Sequence, residues 1–244
     1  GNTIPFISRY RKEVTGSLND EQLRTLDERL KYLRNLEEKK EQVLATIEEQ
    51  GKLTEELKAQ ILAAETLVVV EDLYRPYRPK RRTRAIIARE KGLEGLANII
   101  SLQMTDKALE VEAEKYISAE KGVETVKDAI AGAMDIIAEN ISDEADYRIH
   151  IRKMTFDNGR ITSTAKDPEN KTVYEMYYNF EEPVKKIAGH RVLALNRAED
   201  EKVLTVKVEA PVEDVLRYLE KLIIMRDNPN TTPVLKEIIA DSYS

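Results

Sequence analysis

Leu23, Leu26, Leu30, Leu33 and Leu36, continued by Val43, Leu44 and Ile47, recur at spacings of three and four residues. Sustained over roughly thirty residues, that period is the signature of an amphipathic helix. The positions between are nearly all charged, with Glu37 and Glu41 beside Arg34 and Lys40, as on a helix that meets solvent on most sides. One continuous helix from Asn19 to about Gln50 is expected, spanning roughly 45 Å at ~1.5 Å per residue, enough to bridge parts of a larger assembly. A leucine stripe is more often core than zipper. The repeat also drifts after Leu36, which makes a homodimeric coiled coil the lesser reading and puts any break in the helix there.

The remaining composition agrees with a helical chain. Among 244 residues there are only 9 glycines and 8 prolines, and Glu, Lys, Leu, Ala and Arg dominate. The expected fold is mainly α, an elongated multi-helix array around the long amphipathic helix, with one small β element. It is divided into an N-terminal helical region at 1–140, which carries a basic loop at 75–84, and a second helical region at 141–244, which carries the β element. Zero cysteines exclude disulfides, thiolate nucleophiles and Cys-ligated zinc or iron–sulfur sites, and suit a reducing cytoplasm. The longest apolar runs, such as Leu67 to Val70, fall far short of a membrane span, and no signal peptide opens the chain. A cytoplasmic monomer with no membrane partner is expected.

Punctuation along the chain places the other elements. Pro5, behind Asn2 or Thr3, suits the first turn of a short helix, and Ser17 with Asp20 reads as a capping box for the long one. Gly51 ends that helix, and Thr54 caps another whose buried side runs through Leu57, Ile61, Ala64, Leu67 or Val68, and Leu73. Thr83 caps a helix through Ile86, Ile87 and Glu90. Gly92 breaks it ahead of Leu93 to Leu102, and residues 105–118 and 122–140 read as two more helices, the second with Val126, Ile130, Ala133, Met134 and Ile137 inward. From Asp143 to Thr164 the residues fit a helix or, through Asn158-Gly159, a hairpin. Asp167-Pro168 should open a helix carrying Val173, Tyr174, Tyr177 and Tyr178 as a packing patch. A helix over His190–Arg197, a strand over Val203–Val208, and helices opening at Pro211 and near Thr232-Pro233 complete the chain.

One stretch departs from all of this. Arg75, Arg78, Lys80, Arg81, Arg82 and Arg84 are six cations within ten residues that contain no acid, in a chain of net charge −6. Taking them away leaves −12, so any polyanion site is local. Pro76 and Pro79 bar an ordinary helix and push Arg75 and Arg78 toward extended geometry. Tyr74 and Tyr77 lie among the cations, a mixture that suits a phosphate backbone, because guanidinium pairs phosphate bidentately and aromatic faces stack on bases. The competing reading is an interhelical loop whose cations bond helix carbonyls and acidic helices. Arg9, Arg11 and Lys12 form a second, smaller basic cluster, which reads more readily as a solvated helix face.

Catalytic signatures are lacking. There is no P-loop, dinucleotide fingerprint, HExxH or Gly-x-Ser-x-Gly element. His150 and His190 stand forty residues apart without partners at metal spacing, as structural residues do. Glu139, Asp143, Glu144 and Asp146 sit at a helix boundary, where carboxylates serve as caps and dipole partners more readily than as metal ligands. No active site, metal or cofactor is expected.

The order TIPFISRYRKEVTG at Thr3–Gly16, GKLT at Gly51–Thr54, EDLYRPYRPKRRTRA at Glu71–Ala85, AREKGLEGLA at Ala88–Ala97 and GHRVLALNR at Gly189–Arg197 resembles the Tex family of bacterial transcription accessory proteins. Arg75 stands where that family tends to have an aliphatic residue and Gly95 where it tends to have proline. Neither touches the segment from Lys80 to Arg84. The resemblance implies the N-terminal helical portion of a longer protein. A helix-turn-helix-like start would precede it, and an RNase H-like (YqgF) domain, a helix-hairpin-helix segment and an OB-fold RNA-binding domain would follow. It implies the helical reading of Asp143–Met154, a likeness to the core of a eukaryotic elongation factor, and contact with the transcription machinery. Two functions follow as expectations. One is a non-enzymatic helical scaffold that binds RNA or DNA phosphate through Arg75, Arg78, Lys80, Arg81, Arg82 and Arg84, with Arg9, Arg11 and Lys12 as a further contact. The other is a purely structural module that docks the remaining domains or the transcription machinery.

Overall fold

The structure is a computed structural model, described for residues 19–244. The chain forms two compact units that meet in sequence at Arg78 and Pro79, inside the basic stretch. The boundary expected near residue 140 falls within the second unit, where helices from both sides share one core.

In the first unit the long helix is continuous: α1 runs over Asp20–Glu49 with no break at Leu36. Its cap is Asn19, whose side chain accepts from Gln22 N while Gln22 reaches back to the Asn19 amide, a reciprocal box two residues beyond the expected pair. Ser17 and the helix start at Pro5 lie outside the described residues. Only part of the leucine stripe is covered. Leu23, Leu36, Val43 and Ile47 are buried, whereas Leu26, Leu30 and Leu33 are 48%, 44% and 39% exposed. The single helix expected beyond Thr54 is two, α2 (Glu55–Ala63) and α3 (Leu67–Tyr74). The chain extends at Ala64, and the Thr66 hydroxyl accepts from Val69 N to start a new helix inside what reads as one apolar run. Lys40 ties these elements together. Buried to 5%, its Nζ donates to the carbonyl of Leu62 (2.8 Å), and the Tyr32 hydroxyl accepts from Leu67 N (3.0 Å).

The second unit surrounds α7 (Val126–Asp143), which packs against α4 (Arg84–Glu90), α5 (Glu94–Leu102), α6 (Leu109–Glu114) and α11 (Thr232–Tyr243). Ala129, Ala133, Ile136, Ile137 and Ile141 form its buried side, and the expected Val126, Ile130 and Met134 are half-buried on its flank. At Gly132 a Cβ would stand 2.3 Å from Leu93 Cδ1 and 3.3 Å from Ala88 Cβ, so any larger residue would force the Leu93 side chain to move. The helix expected over 105–118 shortens to α6, followed by turns and a bridge between Ser118 and Val123. Helix α8 (Ala145–Asn158) takes the helical alternative, and α10 (Val212–Ile223) starts behind Pro211 as read.

Three antiparallel strands, β1 (Arg160–Ala165), β2 (Asn179–Pro183) and β3 (Leu204–Glu209), lie in the order β2-β1-β3. Ser163 faces Phe180 on one side and Val206 on the other. Helix α9 (Gly189–Asp200) covers the sheet, with Leu195 and Ala198 against Leu204, Tyr174 and Tyr177. The aromatic patch therefore packs as expected, but no α-helix opens at Asp167-Pro168. That segment turns and passes through a short 3-10 turn, Glu175–Tyr177, into β2. A side-chain clamp closes the unit. Gln103, held in the left-handed region (φ 58°), donates to the carbonyl of Ile223 (2.7 Å) and accepts from Met225 N (3.0 Å). Asn228 donates in turn to the carbonyls of Gln103 (3.1 Å) and Thr105 (2.9 Å).

Candidate nucleic-acid interface

The basic stretch is irregular, as its prolines require, but they act differently. Pro76 sits in the first turn of a 3-10 helix, Arg75–Tyr77, that continues α3, so Arg75 is helical (φ −48°, ψ −44°) and not extended. Arg78 ahead of Pro79 is extended (φ −66°, ψ 137°), as the proline rule predicts. In the first unit Arg78 pairs with Glu71 at 3.5 Å, and Gln50 donates to the Tyr77 carbonyl at 2.8 Å.

In the second unit the cations divide into two kinds. Lys80 is an anchor: its side chain is only 23% exposed, and Nζ donates to Glu139 (3.1 Å) and to Asp143. Those carboxylates stand four residues apart on one face of α7. Glu139 also accepts from the Thr83 hydroxyl (2.7 Å) and from Arg89 (3.3 Å), and Thr83 uses the same oxygen to cap α4 through Ile86 N. Burial alone would raise the Glu139 carboxyl. The Thr83 hydrogen bond, with the Lys80 ammonium and Arg89, outweighs it and holds the group below its ordinary value.

Arg81, Arg82 and Arg84 are exposed. Arg82 forms a surface pair with Glu90 at 2.6 Å while remaining 68% exposed, the kind of contact worth under about 1 kcal/mol. Among the described residues, Arg81 and Arg84 form no ion pair. The loop is thus pinned from beneath by its one lysine while its arginines face outward. Arg9, Arg11 and Lys12 lie outside the described residues.

Two partners escaped the sequence reading, Arg89 and the pairing of Glu139 with Asp143. Their cue was a single lysine among arginines and two carboxylates one turn apart on a later helix, and nothing local joins them. Among the described residues no group of three or more His, Cys, Asp or Glu side chains could hold a metal ion. The His150 ring stacks on Tyr218, with centroids 4.1 Å apart. Nor is any helix among the described residues long and apolar enough to cross a membrane.

These features define a helical protein with an anchored basic segment. The chain belongs to the Tex family: residues 105–232 match the Tex central region-like family and residues 1–48 the Tex-like protein N-terminal domain. It is 50% identical over its full length to the uncharacterized protein YdcI of Bacillus subtilis, covering 34% of that protein. It is 42% identical to the transcriptional accessory protein Tex of Neisseria gonorrhoeae over 88% of this chain and 28% of the relative. With the human S1 RNA-binding domain-containing protein 1 it shares 32% identity over 85% of this chain and 21% of the relative. The chain therefore spans about a third or less of the relatives it matches.

Proposed function

We propose that this chain is a non-enzymatic helical scaffold, acting as a cytoplasmic monomer in transcription, that binds RNA or DNA through the phosphate backbone and without sequence preference. The observation that carries the proposal is the division of labour within one loop. Lys80 is committed to Glu139 and Asp143, and Arg81, Arg82 and Arg84 stay exposed beside it. An anchored loop loses little conformational entropy when its arginines engage phosphate, and guanidinium forks suit phosphate geometry. The names of two relatives, one a transcriptional accessory protein and one carrying an S1 RNA-binding domain, support a role near nucleic acid.

The test is fluorescence anisotropy of labelled single-stranded RNA and duplex DNA against salt. Affinity should fall steeply as salt rises, and the combined variant Arg81→Ala, Arg82→Ala and Arg84→Ala should flatten the slope of log K against log salt by roughly 2 to 3, one arginine–phosphate pairing being removed at each position. If the wild type shows no binding at low salt, or if the slope is unchanged in a folded triple variant, the proposal fails. A structural module that docks other domains is the second reading, favoured by the exposed Leu26, Leu30 and Leu33 on α1.

A further inference from the structure

Val126, Ile130, Met134 and Ala138 recur every four residues on α7 and so form one row along it, about 18 Å long at ~1.5 Å per residue. All four are half-buried, between the enclosed side of α7 and its solvent side. With Ile238 of α11 they make the apolar floor of a groove of about 810 Å³. The floor is therefore as long as three turns of helix, and water wets it only in part.

The edges of the groove carry charge. On the α11 side stand Glu237 and Asp241, four residues apart and both exposed, and Glu110 of α6 and Asp135 of α7 add two more carboxylates. Against these four the groove has two cations, Arg84 and Lys127. None of the six forms an ion pair among the described residues. The excess is acidic, and α11 presents it without a countercharge.

This balance narrows what can lie in the groove. Phosphate would meet carboxylates along α11, so the groove does not continue the basic loop as a nucleic-acid track. A second copy of a chain of net charge −6 gains little from an acidic edge. A helix that lays an apolar face on the floor and carries lysine or arginine along the flank facing α11 meets both requirements, because residues at i, i+4, i+7 and i+11 share one helix face.

We propose that this groove docks a basic amphipathic helix of a separate protein partner, its apolar side chains on Val126, Ile130, Met134 and Ala138 and its cations on Glu237 and Asp241. The proposal does not rest on the function proposed for the basic loop. Arg84 borders both, so Arg81 and Arg82 alone serve to separate them.

The full chain is titrated, by fluorescence anisotropy, into a labelled helical peptide of about 14 residues, or roughly four turns, with leucine on one face and lysine along one flank. A second peptide carries glutamate in place of each lysine. The lysine peptide should bind saturably, and the glutamate peptide should be weaker by about tenfold or more. Glu237→Lys combined with Asp241→Lys should invert that order, an outcome that damage to the fold would not produce. Met134→Asp should weaken both peptides by about tenfold or more through loss of the apolar floor, and the charge inversion carries the test should this variant fail to fold. Arg81→Ala with Arg82→Ala should bind the lysine peptide as wild type does, so failure of the loop reading and failure of this one read out separately. The proposal is overturned if the lysine peptide does not saturate below millimolar concentration, if the folded Glu237 and Asp241 variant ranks the two peptides as wild type does, or if the loop variant loses the peptide. It is also overturned if the chain sediments as a dimer that Met134→Asp dissociates, because a second copy then covers the groove.

Discussion

Helices α1 and α7 read alike in sequence, each an apolar stripe on a charged background, and they end in opposite circumstances. Helix α7 is enclosed on several sides: Ile136 is 1% exposed, and a Cβ at Gly132 would stand 2.3 Å from the Leu93 side chain. On α1 the stripe is covered at Leu23 and from Leu36 onward, while Leu26, Leu30 and Leu33 stay open. Periodicity names the apolar face of a helix, but only the elements that come back to it decide how much of that face is used. The length of α1 is secured by other means, the reciprocal box at Asn19 and Gln22 and the Lys40 contact with Leu62.

The sharpest way to break this comparison is volume change at the two stripes. Gly132→Val should destabilise the second unit most, by several kcal/mol, because the added side chain meets Leu93 within a packed core, and Ile136→Ala should cost about 2 to 5 kcal/mol. Native-state hydrogen exchange, which reports each unit by itself, is the measurement. Loss of α7 protection no larger than that of surface variants would show that α7 is not enclosed.

Next in size is the anchor on α7. Lys80→Ala leaves Glu139 and Asp143, both mostly buried, without their ammonium and should cost about 1 to 3 kcal/mol, whereas Arg81→Ala should stay within ~0.5 kcal/mol. A thermal melt of both variants decides it, and equal effects would dissolve the distinction between anchor and display. The same network predicts a pH response. The Glu139 carboxyl is depressed in the folded protein, so its contribution is fully present above the unfolded value, ordinarily 4.5, and is lost as pH falls through the lower folded value. Wild type should therefore lose melting temperature on acidification below about 4.5, and Thr83→Val, which removes a donor to that carboxyl, should flatten the loss.

The smallest effects belong to α1. Asn19→Ala removes the cap and should cost about 1 kcal/mol, seen as faster exchange of the Gln22 amide and its neighbours. Leu30→Ala, on the open part of the stripe, should change stability by under ~0.5 kcal/mol. A core-sized loss there would mean that this face is covered after all.

What sequence could and could not disclose follows the range of the forces involved. Thr54, Thr83 and Pro211 act within one turn, and the helices they start lie where they were read. Thr66 acts over the same distance but sits inside an apolar run, so its cap at Val69 was hidden by the hydrophobic pattern. Strand β2, NFEEP, has one apolar side chain to alternate and becomes a strand only because β1 supplies its partners, while β3 shows the alternation itself. In the basic stretch the sequence showed where positive charge gathers, and Pro79 correctly extended Arg78. It could not show which cation is spent internally, because Glu139 and Asp143 lie 59 and 63 residues from Lys80 and reach it only once α4 has packed on α7.

The Gln103 and Asn228 clamp sets an order of events during synthesis. It joins residues more than 100 positions apart, and α11, which supplies Leu235, Ile238 and Ile239 to the core around α7, follows it in the chain. As the chain leaves the ribosome, α4 to α7 emerge with their apolar side open and must wait for the arrival of α10, the clamp and α11 before it can close. The contacts between α1, α2 and α3 lie within the first 78 residues. A nascent chain halted soon after residue 200 should accordingly hold a protease-resistant first unit beside a susceptible α7, and release past Ser244 should protect both.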